Sequence, residues 1–148
     1  MTLKERLNDD MKQAMKTQDK ERLATIRLAR AAILFVEKNE QRELTDDDVI
    51  GLLAKEIKQR KDAIEAVESA ADRGEYVDKI RQEIEILSGY LPRQMTALEI
   101  RQLVQDVIAR VGAQGPKDTG KVMAALMPEV KGKADGKLVS QIVKESLG

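Results

Sequence analysis

The sequence lacks both residue types on which most metal and nucleophilic sites depend. It contains no cysteine, which excludes disulfides, thiol catalysis and cysteine–zinc sites. It also contains no histidine, which removes the usual general base and the Ser-His-Asp arrangement. Only three aromatic residues occur, Phe35, Tyr76 and Tyr90, too few to bind single strands by base stacking. We therefore expect no metal ion, no cofactor and no visible catalytic residue.

Long apolar runs are missing as well. The apolar run over residues 31–36 is far shorter than the roughly 20 residues that span a bilayer. The opening residues, MTLKERLNDDMK, are charged throughout and do not resemble a secretory signal. We expect a cytoplasmic protein that does not associate with membranes.

The charge is balanced over the chain but not along it. The 148 residues carry 26 basic and 26 acidic side chains, which argues against indiscriminate binding of nucleic acid. Residues 1–90 hold 17 basic and 20 acidic side chains, whereas residues 91–148 hold nine and six. The positive excess therefore belongs to the C-terminal part.

Apolar residues recur at helical spacing along nearly the whole chain, and only three prolines interrupt it. The pattern predicts a first helix over about residues 2–16 and a second that ends near Asn39. A third is expected from an N-cap at Thr45 to Gly74, and a fourth stops at Ser88. We interpret the three aspartates after Thr45 as a helix start rather than a magnesium site, because the helix dipole favours anions there.

A break at Leu91-Pro92 divides the pattern. Proline removes an amide donor and disfavours a helical conformation at the residue before it. The sequence therefore predicts an all-α protein of two helical bundles. Residues 1–90 would form a four-helix bundle and residues 91–148 a three-helix bundle.

Three helices are expected after the break. Thr96 and Glu99 predict a capping box at the start of the fifth helix, and Gly112 predicts its end. Met127-Pro128 is expected to end the sixth helix, because proline cannot continue the hydrogen-bond ladder.

One helix start occurs twice, sixteen residues apart. The pattern G-K-h-h-x-x-h-h, with h apolar, begins at Gly120 and again at Gly136. Each copy follows an aspartate, and Asp118 and Asp135 are the candidate N-caps. The two starts fall at the same end of the bundle only if the loop between them allows it.

The first copy overlaps GPKDTGK, residues 115–121, which nearly matches the phosphate-binding loop G-x-x-x-x-G-K-[ST]. Val122 occupies the position of the hydroxyl that holds magnesium, and no strand is predicted before Gly115. We therefore expect no specific ATP binding. A helical hairpin with capped ends and a solvated loop accounts for the segment without any ligand.

A second interpretation adds phosphate binding to the same hairpin. Helix N-termini present free N–H groups to anions, and glycine lets a phosphate approach the backbone closely. A lysine in the first turn opposes the helix dipole, so its repetition there indicates an anionic partner. The candidate phosphate-binding residues are Lys117, Gly120, Lys121, Lys131, Lys133, Gly136 and Lys137.

The chain resembles the YqeY-like proteins. The resemblance rests on EIKQRKDAIEAV at residues 56–67, on Tyr90-Leu91-Pro92, and on the long segment 111–147, and it covers essentially the whole chain. That family is similar to the tail domain found in one subunit of the glutamine-dependent aspartyl/glutamyl-tRNA amidotransferase, which helps hold the tRNA. The resemblance implies a four-helix and a three-helix bundle. Proteins of that family are often described as having carbon–nitrogen ligase activity with glutamine as amido donor.

The resemblance implies an accessory module that binds tRNA or docks to components of translation or of the amidotransferase. Neither a kinase-like phosphate site nor a glutaminase Ser/Lys arrangement can be placed in the chain, so catalysis by it alone is not expected. The alternative is a helical protein-interaction domain whose lysines contact an acidic partner.

Two groups of basic residues lie outside the C-terminal part. The third helix carries a basic patch, Lys55, Lys58, Arg60 and Lys61, that we interpret as a solvated face because acidic residues interleave with it. Arg27 and Arg30 lie in an apolar helix, where we expect them to brace the bundle by pairing with carboxylates.

Overall fold

A computed structural model describes residues 1–67 and 74–148 of the chain. Within these ranges the protein is all-α, as predicted, with seven α-helices, one short 3-10 helix and no strand. The helices are α1 (Leu3–Thr17), α2 (Lys20–Glu40), α3 (Asp46–Val67), α4 (Gly74–Ser88), α5 (Ala97–Val111), α6 (Thr119–Val130) and α7 (Gly136–Leu147). None of those in the described ranges combines the length and apolarity that crossing a bilayer requires.

The chain divides into two compact units, Met1–Leu91 and Pro92–Gly148. The first unit contains α1 to α4, and the second contains α5 to α7. Each unit encloses a hydrophobic core of its own.

Each helix of the first unit turns one apolar face inward. Leu7 of α1, Ile26 of α2, Leu53 of α3 and Leu87 of α4 are all 1% exposed or less. These residues lie in one buried cluster. Each helix can contribute a whole face to it, because apolar positions three or four apart lie on the same side of a helix. Burial of each such side chain contributes about 1.5–3 kcal/mol.

The second unit is built in the same way around α5, α6 and α7. Ile100, Val104, Leu126 and Ile142 are buried in its core at 2% exposure or less. All three helices thus contribute residues to the core, and their polar faces lie in solvent.

The predicted helix ends are confirmed where a local motif defined them. Thr96 and Glu99 form the capping box of α5, and Gly112 ends that helix with φ +69°. At the start of α3, the Asp48 amide donates to the Thr45 hydroxyl at 3.2 Å, and the Thr45 amide donates to the Asp48 carboxylate at 3.0 Å. Gly74, predicted to end the third helix, is instead the first residue of α4. Residues 68–73, over which the third helix was expected to continue, lie outside the described ranges.

The predicted end of the sixth helix at Met127-Pro128 is wrong, because α6 continues to Val130. Pro128 lies in the last turn, where its missing amide removes one hydrogen bond and leaves the rest of the ladder intact. The Lys131 amide then donates to the Met127 carbonyl at 3.0 Å and closes the helix.

The expected bracing by Arg27 and Arg30 is also wrong. Arg30 donates to the sulfur of Met11 at 3.0 Å, and Arg27 is exposed without an ion pair to any described residue. Arg60 of α3 forms one of the ion pairs between helices instead, at 3.0 Å from Glu83 of α4. Part of the bracing therefore comes from a residue that the sequence interpretation had placed on the solvated face.

Candidate functional site

The GPKDTGK segment forms a short turn that leads into α6. Pro116–Asp118 is a 3-10 helix, and the Thr119 hydroxyl donates to the Pro116 carbonyl at 2.6 Å. Asp118 occupies the N-cap position of α6, as predicted, but its side chain makes no capping hydrogen bond. Its carboxylate accepts from the Gln114 amide at 2.9 Å and closes the turn on the preceding side.

Val122 is the residue by which this turn differs most clearly from the phosphate-binding loop of ATPases. Its side chain is 0% exposed and belongs to the core of the second unit, so position 122 faces away from any ligand in the turn. The turn follows helix α5, whereas that loop follows a strand. Lys117, Gly120 and Lys121 remain exposed on the outside of the turn.

The loop between α6 and α7 presents a second group of basic side chains. We call residues 131–137, which are the loop and the first two residues of α7, the lysine loop, because Lys131, Lys133 and Lys137 are all exposed there. Gly132 lies between the first two with φ +75°, a conformation that favours glycine. The left-handed residue turns the chain back so that the Ala134 amide donates to the carbonyl that ends α6.

The backbone of the lysine loop is held by the segment that precedes α5. The Gln94 side-chain amide donates to the Gly132 carbonyl at 2.8 Å. The Met95 amide donates to the Lys133 carbonyl at 2.7 Å. The lysine side chains thus project from a fixed backbone. Sequence reasoning missed Gln94, because nothing in the pattern links residues 38 positions apart.

The start of α7 is already capped by the protein itself. The Asp135 carboxylate accepts from the Lys137 amide at 3.0 Å, which confirms the predicted N-cap. A carboxylate at this position offsets part of the positive end of the helix dipole. Attraction for an external anion therefore rests on the lysine side chains more than on the helix end, which corrects the emphasis of the sequence interpretation.

The loop does not bring the two helix starts together. Lys121 is the third residue of α6, and the nine residues from there to Val130 span about 14 Å at 1.5 Å per residue. Because the Ala134 amide bonds to the Val130 carbonyl, the lysine loop lies at the other end of α6. The predicted residues form two groups: Lys117, Gly120 and Lys121 at one end of α6, and Lys131, Lys133, Gly136 and Lys137 at the other.

Arginines and lysines have different partners in the second unit. Each of its arginines pairs with a glutamate, and the Arg93 guanidinium lowers the pKa of Glu99 to about 2. Lys117, Lys121, Lys131 and Lys133 make no ion pair with any residue of the described ranges. The positive excess of this unit is therefore carried by exposed lysines. The arginine pairs are Arg93–Glu99 at 2.6 Å, Arg101–Glu145 at 3.5 Å and Arg110–Glu129 at 3.3 Å.

Comparison with known proteins identifies the family to which the chain belongs. A family model described as "Yqey-like protein" matches residues 4–147. The chain is also 32% identical over 146 residues to a protein of Pyrenophora tritici-repentis (strain Pt-1C-BFP) named "Altered inheritance of mitochondria protein 41, mitochondrial". That alignment covers 97% of this chain and 80% of the relative. The chain belongs to the YqeY-like family.

Proposed function

We propose that the second unit binds the phosphates of tRNA, or of another structured RNA, through the lysine loop. The observation that carries the proposal is the exposure of three lysines on a backbone that two long-range hydrogen bonds hold in place. Lysine binds phosphate as a point charge, without the fixed fork of arginine. A rigid loop of lysines therefore provides phosphate contacts whose spacing is set before the RNA arrives.

The second unit is suited to reading the RNA backbone rather than the bases. All three aromatic residues of the chain lie at or before Tyr90, so residues 92–148 contain none on which a base could stack. Contacts to phosphates position a nucleic acid without reading its sequence. Recognition by this unit should accordingly depend on the shape of a folded RNA.

Family membership supports an accessory role in translation. We infer a relation to the tail domain of the tRNA-dependent amidotransferase, and contact with its components, in the cytoplasm. The carbon–nitrogen ligase label describes the complete amidotransferase, and this chain contains neither histidine nor cysteine with which to perform general-base or thiol chemistry. We propose that it binds and presents RNA for another protein's reaction.

We further propose that the two units are independent bundles of four and three helices. Backbone proteolysis concentrates where few contacts hold the chain. Limited proteolysis should cut near Leu91 and release a fragment of about 90 residues, the length of the first unit. A single resistant core that spans Leu91 would contradict two independent bundles.

Titration of the full-length protein with tRNA at several salt concentrations tests the RNA proposal. Three lysine–phosphate contacts predict that log K falls with log salt at a slope of about −2 to −3. Lys131→Ala with Lys133→Ala should weaken binding and reduce the slope by about 1.5. Lys58→Ala with Lys61→Ala on α3, a pair of equal charge that is also exposed, is the matched control and should leave binding intact.

The pair Lys117→Ala and Lys121→Ala asks whether the RNA also reaches the other end of α6. A smaller loss than in the lysine-loop variant is expected, because the RNA must span about 14 Å to contact both groups. If the α3 control abolishes binding and the lysine-loop variant does not, the first unit holds the RNA. If no form of the protein binds tRNA at low salt, an acidic protein partner replaces RNA as the occupant of the lysine loop.

A further inference from the structure

The outward face of α2 is apolar although its inward face already fills the core. Ala24, Leu28, Ala31 and Phe35 follow one another at intervals of four, three and four residues, so they lie in one stripe along the helix. Leu28 is 55% exposed and Phe35 is 67% exposed, and both alanines are exposed as well. Contiguous apolar surface of this kind marks a site of interaction. We call these four residues the α2 stripe.

A cavity adjoins the α2 stripe at Ala24. It lies between α2 and α4 and has a volume of about 190 Å³. Ala24, Thr25 and Ile86 line it together with two lysines and two glutamates, Lys20, Lys79, Glu21 and Glu83. An apolar cavity of roughly 150 Å³ accommodates a benzene molecule. The cavity therefore has room for one leucine or phenylalanine side chain supplied by a partner.

One edge of the α2 stripe is basic. Lys20, Arg27 and Lys38 are seven and eleven residues apart, intervals that return to the same side of a helix. All three are exposed, and none forms an ion pair within residues 1–67 or 74–148. Lys79 beside the cavity is likewise exposed and has no ion pair in those ranges. Glu21 is the acidic residue at the opposite edge. The surface thus combines an apolar centre with a row of uncompensated cations along one side.

We propose that this surface docks an amphipathic helix of another protein, with carboxylates along one of its edges. Its apolar residues would cover the α2 stripe, one of them would enter the cavity, and its carboxylates would face Lys20, Arg27 and Lys38. Helix-in-groove recognition uses apolar anchors at intervals of three and four residues, which matches the spacing of the stripe. This role belongs to the first unit and is separate from RNA binding by the lysine loop.

A second copy of the chain complements the surface less well. In an antiparallel pair of α2 helices related by a two-fold axis, each edge faces the same edge of its mate. Lys20 of one copy would then lie near Lys38 of the other, and the like charges would repel. Charge complementarity therefore favours an acidic helix over self-association.

The test uses two synthetic helical peptides of about 18 residues, long enough to follow the stripe at 1.5 Å per residue. Both carry leucine at intervals of four, three and four residues. One carries glutamates along a single edge, and the other carries lysines at the same positions. Fluorescence anisotropy with the full-length protein should show the acidic peptide binding at least about tenfold more tightly than the basic one.

Variants then assign the binding to the stripe and its edge. Leu28→Ser with Phe35→Ser should weaken binding of the acidic peptide at least about tenfold, because both anchors are removed. Lys20→Glu with Arg27→Glu should reverse the preference between the two peptides. Leu98→Ser is the matched control, since Leu98 of α5 is 65% exposed in the second unit, and it should change nothing. Circular dichroism confirms that each variant is folded.

Four outcomes would overturn the proposal. The first is equal binding of the two peptides, and the second is failure to bind either. The third is a wild-type dimer in sedimentation equilibrium that Phe35→Ser dissociates, since a second copy would then occupy the stripe. The fourth is flotation with anionic phospholipid vesicles that depends on Phe35, which would assign the surface to a membrane.

Discussion

Removal of the buried Tyr90 hydroxyl should measurably lower the free energy of unfolding of the first unit. Tyr90 is 4% exposed, and its hydroxyl donates to the Asp10 carboxylate. Arg22 lies 3.5 Å from that carboxylate, and Arg6 lies over the Tyr90 ring at 4.7 Å while donating to the Gly89 carbonyl at 2.9 Å. Burial, and then the hydrogen bond to the Asp10 carboxylate, raise the pKa of the Tyr90 hydroxyl above its usual value, which favours the protonated form that donates this bond. This network fixes the end of the first unit onto α1.

The magnitude follows from what Tyr90→Phe removes and what it leaves. The ring stays, so its apolar burial and its contact with Arg6 are kept and no cavity forms. The variant loses one hydrogen bond to an ionised group, worth about 1.5–3 kcal/mol. Asp10 retains Arg22 and has a partly exposed side chain, so the lower part of that range is expected. We predict a loss of about 1.5–2 kcal/mol in the free energy of unfolding.

Urea denaturation followed by circular dichroism measures this loss, and a double-mutant cycle assigns it. Tyr90→Phe, Asp10→Asn and the double variant should show a coupling energy of about 1 kcal/mol or more, because the residues share one bond. Tyr76→Phe is the control, since Tyr76 is 49% exposed, and it should stay within about 0.5 kcal/mol of wild type. A Tyr90→Phe effect as small as the control, or strict additivity in the cycle, would refute the reasoning.

Three further predictions concern the second unit. The pKa of Glu99 is lowered to about 2 from an ordinary 4.5, so its ionisation stabilises the folded state fully above about pH 4.5 and progressively less towards pH 2. Glu99→Gln should flatten this part of the pH dependence in thermal melts between pH 2 and 6. Pro128→Ala should raise the melting temperature, because the last turn of α6 regains an amide donor. Gly112→Ala should lower the free energy of unfolding, measured in urea, by about 1–2 kcal/mol, because φ is +69° at that position. Gly120→Ala should leave it unchanged or raise it, because Gly120 lies in a helix. An added methyl group meets no neighbouring atom at either position, so the difference isolates the effect of φ.

Features that depend on a few neighbouring residues could be predicted from the sequence. The capping box of Thr96 and Glu99 and the N-cap at Asp135 follow from side chains within three residues of the backbone groups they satisfy. The helix end at Gly112 follows from the ease with which glycine adopts a positive φ. Pro128 was misjudged because the cost of proline depends on its distance from the helix end, and the periodicity did not show where α6 stops.

Features that depend on distant partners could not be predicted. Whether Arg27 or Arg60 braces the bundle is decided by which carboxylate the fold brings near, and the helical pattern of one segment carries no such information. The separation of Lys121 from the lysine loop has the same origin, since the repeated helix start does not say how the intervening loop turns. Leu34 is 60% exposed although the neighbouring Ile33 is buried, because apolar residues lie on both faces of α2.

The hydrogen bonds from Gln94 and Met95 to the lysine loop join parts of the chain that are far apart in sequence. The entropy lost when the two ends of such a contact are brought together must be offset by the rest of the core. The loop therefore acquires its geometry as a cooperative property of the whole second unit. A peptide of α6, the loop and α7 alone would carry every lysine of the lysine loop but would lack the hydrogen bonds from Gln94 and Met95. In the intact protein, local opening of the segment before α5 would disorder the loop at the same moment, so the occupancy of any ligand there reports how often that segment unfolds.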